Sequence, residues 1–343
     1  MEGKTVAGIV LASLTILYAV HSMGLFARNK MPVEGKTVLI TGASEGMGLA
    51  VAKQLSSKGA NVVLVSRSVD KLKAALLEVK AAARDSGTQR FHYISADVSA
   101  PSYAGPVLTE TKRLNGGQPP DIVWCIAGLA TPELFNDMDM VSMRRQMDVN
   151  YFGTAEMCQA ALREWQAPEA PVEATPRHLI LTSSAIVFFP VPGYLPYLPS
   201  KFAIRGLAEG LSREALLYPQ RVEVHLVCPG TILSPGFERE EKIKPEITKQ
   251  LEASDPRQTP DEVARSSIRG LENGNFFVTV NLFNWLMQVG TLGSANRNGT
   301  GILDSIVACL MSFIIWPIVH FALHGDIKKF GKANGHPSTY KKD

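Results

Sequence analysis

Seven short apolar runs recur through the middle of the chain, at 36–41, 61–66, 91–96, 121–126, 179–182, 222–227 and 276–280. Each has the length of a strand. Their near-continuous apolar content is the pattern of strands covered on both faces rather than alternately wet and dry. Between them, apolar positions fall at helical spacing: Leu49, Val51, Ala52 and Leu55 within 47–58, and Leu72, Leu76, Leu77 and Val79, all expected inward, within 70–84. A longer helical stretch over 141–165 is followed by a polar insert at 167–176. Strands alternating with helices predict a parallel sheet with helices on both sides. With no internal repeat, one Rossmann-type, doubly wound α/β domain of seven strands over 32–280 accounts for the pattern.

The pattern changes at both ends. No Asp, Glu, Lys or Arg lies between Lys4 and Arg28, which predicts an N-terminal transmembrane helix within an anchor at 1–31. A cleaved signal peptide is the alternative, but Leu25-Phe26-Ala27 is a poor small-residue cleavage site. Lys4 alone precedes the segment while Arg28, Lys30 and Lys36 follow it, which turns the following domain to the cytosol. Residues 281–325 are expected to form an apolar, membrane-associated region before a polar, basic tail at 326–343. Within it, 281–292 reads as an apolar helix or interfacial segment, and 305–325 lacks all four charged residue types. One crossing cannot join a cytosolic domain to a cytosolic tail, so the region is a hairpin or, as preferred here, a monotopic insertion. The sequon Asn298-Gly299-Thr300 stays bare in the monotopic arrangement.

Composition narrows the function. Hydrophobic residues are 45% and charged residues 20%, which supports a sizeable core and excludes the disordered class. The formal net charge of +3, evenly spread, argues against a nucleic-acid partner. Cys125, Cys158, Cys228 and Cys309 each sit in an apolar run without a CxxC, so neither a disulfide frame nor a metal site is expected.

The run Thr41-Gly42-Ala43-Ser44-Glu45-Gly46-Met47-Gly48 follows a strand and opens a helix. Glycines at 42, 46 and 48 allow a tight turn and close approach to a pyrophosphate, which then faces the free N–H groups of the helix. A plain tight turn is the bland reading. The second strand ends in Ser66-Arg67-Ser68, with Lys71 one turn on, where a cofactor with a free ribose 2′-hydroxyl calls for an acid. A guanidinium there matches a 2′-phosphate and favours NADPH over NADH, unless Arg67 and Lys71 are simply solvated. Asp97 and Val98, after the third strand, line an adenine pocket or, for Asp97, cap a helix.

Ser184 lies just beyond the fifth strand, with twelve residues between it and Tyr197 and three between Tyr197 and Lys201. Residues four apart share a helix face. Carbonyl reduction needs a proton donor for an alkoxide; a phenol near pKa 10 becomes a better acid beside an ammonium. A serine hydroxyl can hold the substrate oxygen in position. The alternative is a surface Tyr/Lys pair and a loop serine.

The glycine turn, Asn150 in Asp148-Val149-Asn150-Tyr151-Phe152-Gly153, Ser184, Tyr197 and Lys201, and Pro229-Gly230 together resemble the short-chain dehydrogenase/reductase family over about 36–280. The resemblance implies strand order 3-2-1-4-5-6-7 and a tetrad of Asn150, Ser184, Tyr197 and Lys201. In it, Tyr197 is the acid/base, and Asn150 organises a water relay to Lys201, which also holds the nicotinamide ribose. Cofactor contacts implied with it are Leu39, Gly42, Ser44, Gly46, Gly48, Arg67, Lys71, Asp97, Val98, Tyr197 and Lys201. A homo-oligomer is compatible with it. One departure stands out: the family's Asn-Asn-Ala-Gly after the fourth strand is here Cys125-Ile126-Ala127-Gly128, which removes asparagines that tie neighbouring strands.

A narrower likeness runs through Gly42-x-Ser44-x-Gly46, Gly193-Tyr194-Leu195-Pro196-Tyr197, Ser234-Pro235-Gly236-Phe237-Glu238 and Lys244-Pro245-Glu246. These resemble the branch of the family that reduces long-chain sphingoid ketones at the endoplasmic reticulum membrane, with 230–258 as its substrate loop. Read without that likeness, the loop is a Pro/Gly-interrupted lid followed by a charged helix. Reductases of steroids, retinoids or ketoacyl groups, and a catalytically silent NADP-binding scaffold, share the general motif.

Overall fold

All five residues of β1 (Thr37–Thr41) are buried, as a strand covered on both faces requires. The computed structural model describes residues 29–298 and 301–335, so the expected N-terminal transmembrane helix lies outside the described residues. Around β1 stand β2 (Asn61–Ser66), β3 (Phe91–Ser95), β4 (Ile122–Cys125), β5 (Arg177–Thr182), β6 (Val222–Cys228) and β7 (Phe277–Thr279). They form one parallel sheet in the order β3-β2-β1-β4-β5-β6-β7. The chain leaves β1 toward β2 on one side and returns to β4 on the other, and the switch point falls between β1 and β4.

Strand alternation divides the core in two. Val38, Ile40, Val62 and Leu64 face α1 (Gly46–Ser57), α2 (Val69–Ala81) and, further along the chain, Pro260–Glu272. Leu39, Val65, Val123 and Leu179 face the opposite layer. That layer is built from α3 (Ala104–Leu114), α4 (Met140–Gln146), α5 (Gly153–Trp165) and α6 (Leu198–Glu214). The substrate loop holds two short helices, α7 (Pro235–Glu241) and α8 (Glu246–Leu251), ahead of α9 (Pro260–Glu272). The helix expected over 141–165 is interrupted by a π segment, Met147–Phe152, between α4 and α5.

In α2 the structure corrects one inward position. Leu72, Ala75 and Val79 are buried, while Leu77 is 69% exposed. Five residues beyond Leu72 is about 140° around a helix from it, on the wet side, given 3.6 residues per turn.

The apolar region after β7 divides. α10 (Leu282–Val289) folds onto the domain, with Trp285 and Val289 fully buried in the same core as β6 and β7. The folded unit therefore continues beyond Val280. Asn298 closes it: its side-chain amide donates to the Phe277 carbonyl (2.9 Å) and accepts from the Phe277 N–H (3.1 Å), extending the hydrogen bonding of the last strand. α11 (Ile302–Asn334) is a 33-residue helix, long and apolar enough to cross a bilayer by length and composition. Val307 and Met311 are buried on its inner face, where Trp316 stacks on Phe189 at 5.5 Å; Phe313 and Phe321 are at least 80% exposed on the other.

His178 on β5 and His225 on β6 stack inside the sheet, with Nδ1 of His178 3.0 Å from Nε2 of His225. Nδ1 of His225 faces the Asn275 carbonyl at 2.8 Å and must donate to it, so Nε2 of His225 accepts from His178. Burial, reinforced by His225, pushes the His178 pKa down to about 3. The unfolded chain binds a proton there below about pH 6.5, and the native state refuses it until about pH 3. Stability should therefore fall as pH drops through that window. His178→Asn, which can still donate to His225, should lose fewer degrees of Tm between pH 7 and 4 than the wild type in a calorimetric pH series.

Candidate active site

Because the sheet is parallel, every strand delivers its C-terminal end to one edge, and the following loops gather there. After β1 the chain turns through Gly42 (φ 70°) and Gly46 (φ 56°), a left-handed backbone that favours glycine. A Cβ on Gly48 would stand 2.2 Å from the Gly42 carbonyl oxygen, and one on Gly42 2.7 Å from the Ala127 backbone. The turn closes only without those side chains. It opens α1 with no side-chain cap, because Glu45 at the cap position reaches Lys71 and Arg239 instead. The first-turn N–H groups and the positive end of the helix are left for an anion. Ser44 Oγ stands 2.8 Å from Ser66 Oγ, joining the turn to the end of β2.

Arg67 is exposed just beyond β2 and makes no ion pair among the described residues. Lys71, expected as a second free cation, is held by Glu45 at 2.5 Å. Asp97 caps a turn rather than a helix, accepting from the Ser99 N–H (3.0 Å) and hydroxyl (2.8 Å). Val98 is buried against Gly153, where a Cβ would come within 2.6 Å of the Val98 carbonyl oxygen. Leu39 is the residue not brought to the edge. It lies mid-strand between Val63 and Val123, fully buried in the core.

Beyond β5, Ser184 caps a short 3-10 turn, its hydroxyl accepting from the Ile186 N–H (3.3 Å), and it lines the same cavity as Tyr197. Tyr197 precedes the first residue of α6, and Lys201 lies one turn on, its Nζ 5.4 Å from the Tyr197 ring centre. Lys201 donates to the Thr182 carbonyl at 3.0 Å. Burial lowers its pKa to about 8. The Tyr197 hydroxyl was expected to be acidified by this ammonium. Instead burial, with the charge of Glu240, raises its pKa, and the nearby Ser184 hydroxyl only partly opposes that. Desolvation of a phenolate outweighs a cation held above the ring rather than at the oxygen.

Asn150 sits in the π segment, whose extra residue per turn turns a side chain inward. Its Oδ1 accepts from the Leu129 N–H (2.8 Å), and its Nδ2 donates to the Leu129 carbonyl (2.9 Å) and to Ser200 Oγ (2.9 Å). Ser200 in turn donates to the Tyr197 carbonyl (2.7 Å), which ties Asn150 to the start of α6. A cavity of about 490 Å³ opens beside Ser184 and Tyr197, bounded by the substrate loop and by Val319, Ala322 and Leu323 of α11.

The model of the short chain dehydrogenase family matches residues 36–244. The chain belongs to the short-chain dehydrogenases. It is 51% identical to a 3-ketodihydrosphingosine reductase of Neurospora crassa, over 94% of this chain and 90% of that one. It is 41% identical to a 3-ketodihydrosphingosine reductase of Aspergillus fumigatus, over 95% and 93%. Two solved structures share the fold. Levodione reductase has a TM-score of 0.62 at 20% identity, over 73% of this chain and 97% of that one. A short-chain dehydrogenase from Sphingobium yanoikuyae in complex with NADPH has a TM-score of 0.59 at 22% identity, over 71% and 87%.

As a short-chain dehydrogenase, the chain is an oxidoreductase that uses a nicotinamide dinucleotide. The side-chain-free turn and the uncapped α1 fit such a group. The family's lost asparagines have a substitute. Thr41 Oγ1 accepts from the N–H groups of Ile126 (3.2 Å) and Ala127 (3.3 Å), tying β1 to the turn after β4. Sequence reasoning missed Ser200 and Glu240. Ser200 stands inside the Tyr197–Lys201 motif, the one signal that could have drawn attention to it. Glu240 had no signal beyond its place in the substrate loop.

Proposed function

We propose that this short-chain dehydrogenase reduces 3-ketosphinganine (3-ketodihydrosphingosine) to sphinganine with NADPH, on the cytosolic side of the endoplasmic reticulum membrane. The observation that carries the reading is the cavity itself: the hydroxyls of Ser184 and Tyr197 open into a space walled by the apolar helix α11. The relatives at 51% and 41% identity carry that activity in their names.

Gly42, Gly46 and Gly48 would hold the pyrophosphate against α1, with Ser44 and Arg67 toward the adenosine 2′-phosphate. When bound, NADPH supplies a hydride to the ketone carbon. Ser184 orients the carbonyl oxygen, and Tyr197, neutral because its site is dry, gives that oxygen a proton as negative charge develops. Lys201, above the Tyr197 ring, would supply positive charge on that side as the phenolate forms. Asn150, through Ser200 and Leu129, fixes the turn on which Tyr197 and Lys201 depend.

The same cavity supports a membrane seat. A long alkyl chain gains about 0.8 kcal/mol per buried methylene, so its enzyme must meet it at a bilayer. One face of α11 is engaged by the domain and the other is exposed and apolar, which favours a helix lying in the interface over a crossing one. The apolar residues before Arg28 would add an anchor, α11 up to Gly325 the apolar seat and 326–343 a basic tail, while Met31 and α10 belong to the folded core.

Purified full-length enzyme with NADPH should reduce 3-ketosphinganine at a kcat/KM at least about tenfold above that for a steroid ketone, the range one well-used apolar pocket can discriminate. A steroid preference would defeat the assignment.

A further inference from the structure

The cavity beside Tyr197 is unbalanced in charge. Its walls carry Glu240, Glu252, Asp255 and Asp326, and no Lys or Arg. Glu252 is answered by Lys244 at 2.7 Å, and Lys244 is also bonded to Glu241. Glu240 lies outside those ion pairs, although the Lys244 charge still reaches it. It lies half-buried on α7 and forms no ion pair among the described residues. Its Oε2 accepts from the Tyr194 hydroxyl at 3.3 Å, and the Tyr194 ring lies 5.9 Å from that of Tyr197. Burial pushes its carboxyl up to about 7, against the pull of Lys244 and Tyr194. Its charge is, after burial, the largest influence on the Tyr197 hydroxyl. An acidic side chain without an ion pair therefore lines the proton donor's cavity, one tyrosine away, an arrangement in which a bound cation would hold it ionised.

We infer that Glu240 is a specificity-determining residue that receives the protonated amine of the substrate and so sets the neighbouring ketone against Ser184 and Tyr197. The inference rests on the proposed reduction of a sphingoid ketone. In that class the ammonium is on the carbon next to the carbonyl, so the group that binds it must stand within a few ångströms of the proton donor. The alkyl chain on the other side of the ketone then runs along the apolar residues of α11. Glu240 thus selects amino ketones over neutral ketones of equal length.

The test compares 3-ketosphinganine with 1-hydroxyoctadecan-3-one, the same ketone without the amine, on full-length wild type and Glu240→Gln. The wild type should prefer the amino ketone, and Glu240→Gln should lose about 30- to 100-fold in kcat/KM on it, mostly through KM, while changing less than about threefold on the neutral ketone. An equal loss on both ketones, or no loss on either, overturns the inference. Turnover of neither ketone by the wild type overturns the proposed function and the inference with it, a result distinct from an intact activity without amine selection. Retained NADPH binding reports that the variant is folded. If it is not, Tyr194→Phe takes its place: it removes the hydroxyl that holds Glu240 and should lose about fivefold on the amino ketone alone, and an equal effect on both ketones again overturns the inference.

Discussion

Tyr197→Phe should lose about 10³-fold in turnover, the range a positioned general acid supplies, while NADPH still binds and Tm stays unchanged. The argument is local. Tyr197 is enclosed, and its ring stays in place against Lys201 and Tyr194 whether or not the oxygen is present. The substitution removes one oxygen and leaves the packing. Burial keeps the phenol protonated across the neutral range, so the donor itself sets no limit near pH 7. Of the catalytic pair, Lys201, with its pKa lowered to about 8 by burial, titrates before Tyr197 and above Glu240, which changes charge near pH 7. Lys201 is charged below its pKa and neutral above it, so kcat/KM for ketone reduction in the wild type should decline as pH rises through about 8. Retained turnover in the Phe variant, read by single-turnover NADPH oxidation, would remove Tyr197 from the chemistry. A flat alkaline limb would remove Lys201 as the titrating group.

Arg67→Glu should lower kcat/KM with NADPH by about 10²-fold and leave NADH within a fewfold, since a charge-assisted bond to phosphate contributes about 1.5–3 kcal/mol and a like charge repels it. The structure concentrates this effect on Arg67. Lys71 is engaged by Glu45, and Glu45 is also bonded to Arg239 from the substrate loop. Arg67 makes no ion pair among the described residues, although its charge reaches Asp97. Lys71→Ala should accordingly cost far less than Arg67→Glu. Parallel initial-rate series with the two cofactors decide it: an equal fall with both would mean that Arg67 supports the fold around β2 and does not read the 2′-position.

Much of the site was legible because it is built from local rules. A glycine turn between a strand and a helix, and a tyrosine and lysine one helical turn apart, declare themselves in sequence. Their placement follows once the strands are parallel. The residues that failed to declare themselves act across long stretches of chain. Thr41 satisfies backbone N–H groups 85 and 86 residues away. Ser200 accepts from Asn150, 50 residues earlier in the chain. Lys71 looked free by its spacing from Arg67, but its partner, Glu45, comes from the preceding loop. Leu39 was expected as a cofactor contact only through the family resemblance, and the structure buries it mid-strand in the core.

The amino-acid sequence alone determined the alternation of strands and helices, the glycine turn, the Ser184–Tyr197–Lys201 spacing and the apolar character of 281–325, because each is a periodicity or a short-range constraint that needs no partner. Only the tertiary structure decided which apolar segment belongs to the core and which stays exposed. It drew α10 onto β7, left one face of α11 bare, and placed Glu240 beside Tyr197. Burial and uncompensated charge are properties of what surrounds a side chain, and those surroundings are assembled from segments far apart along the chain.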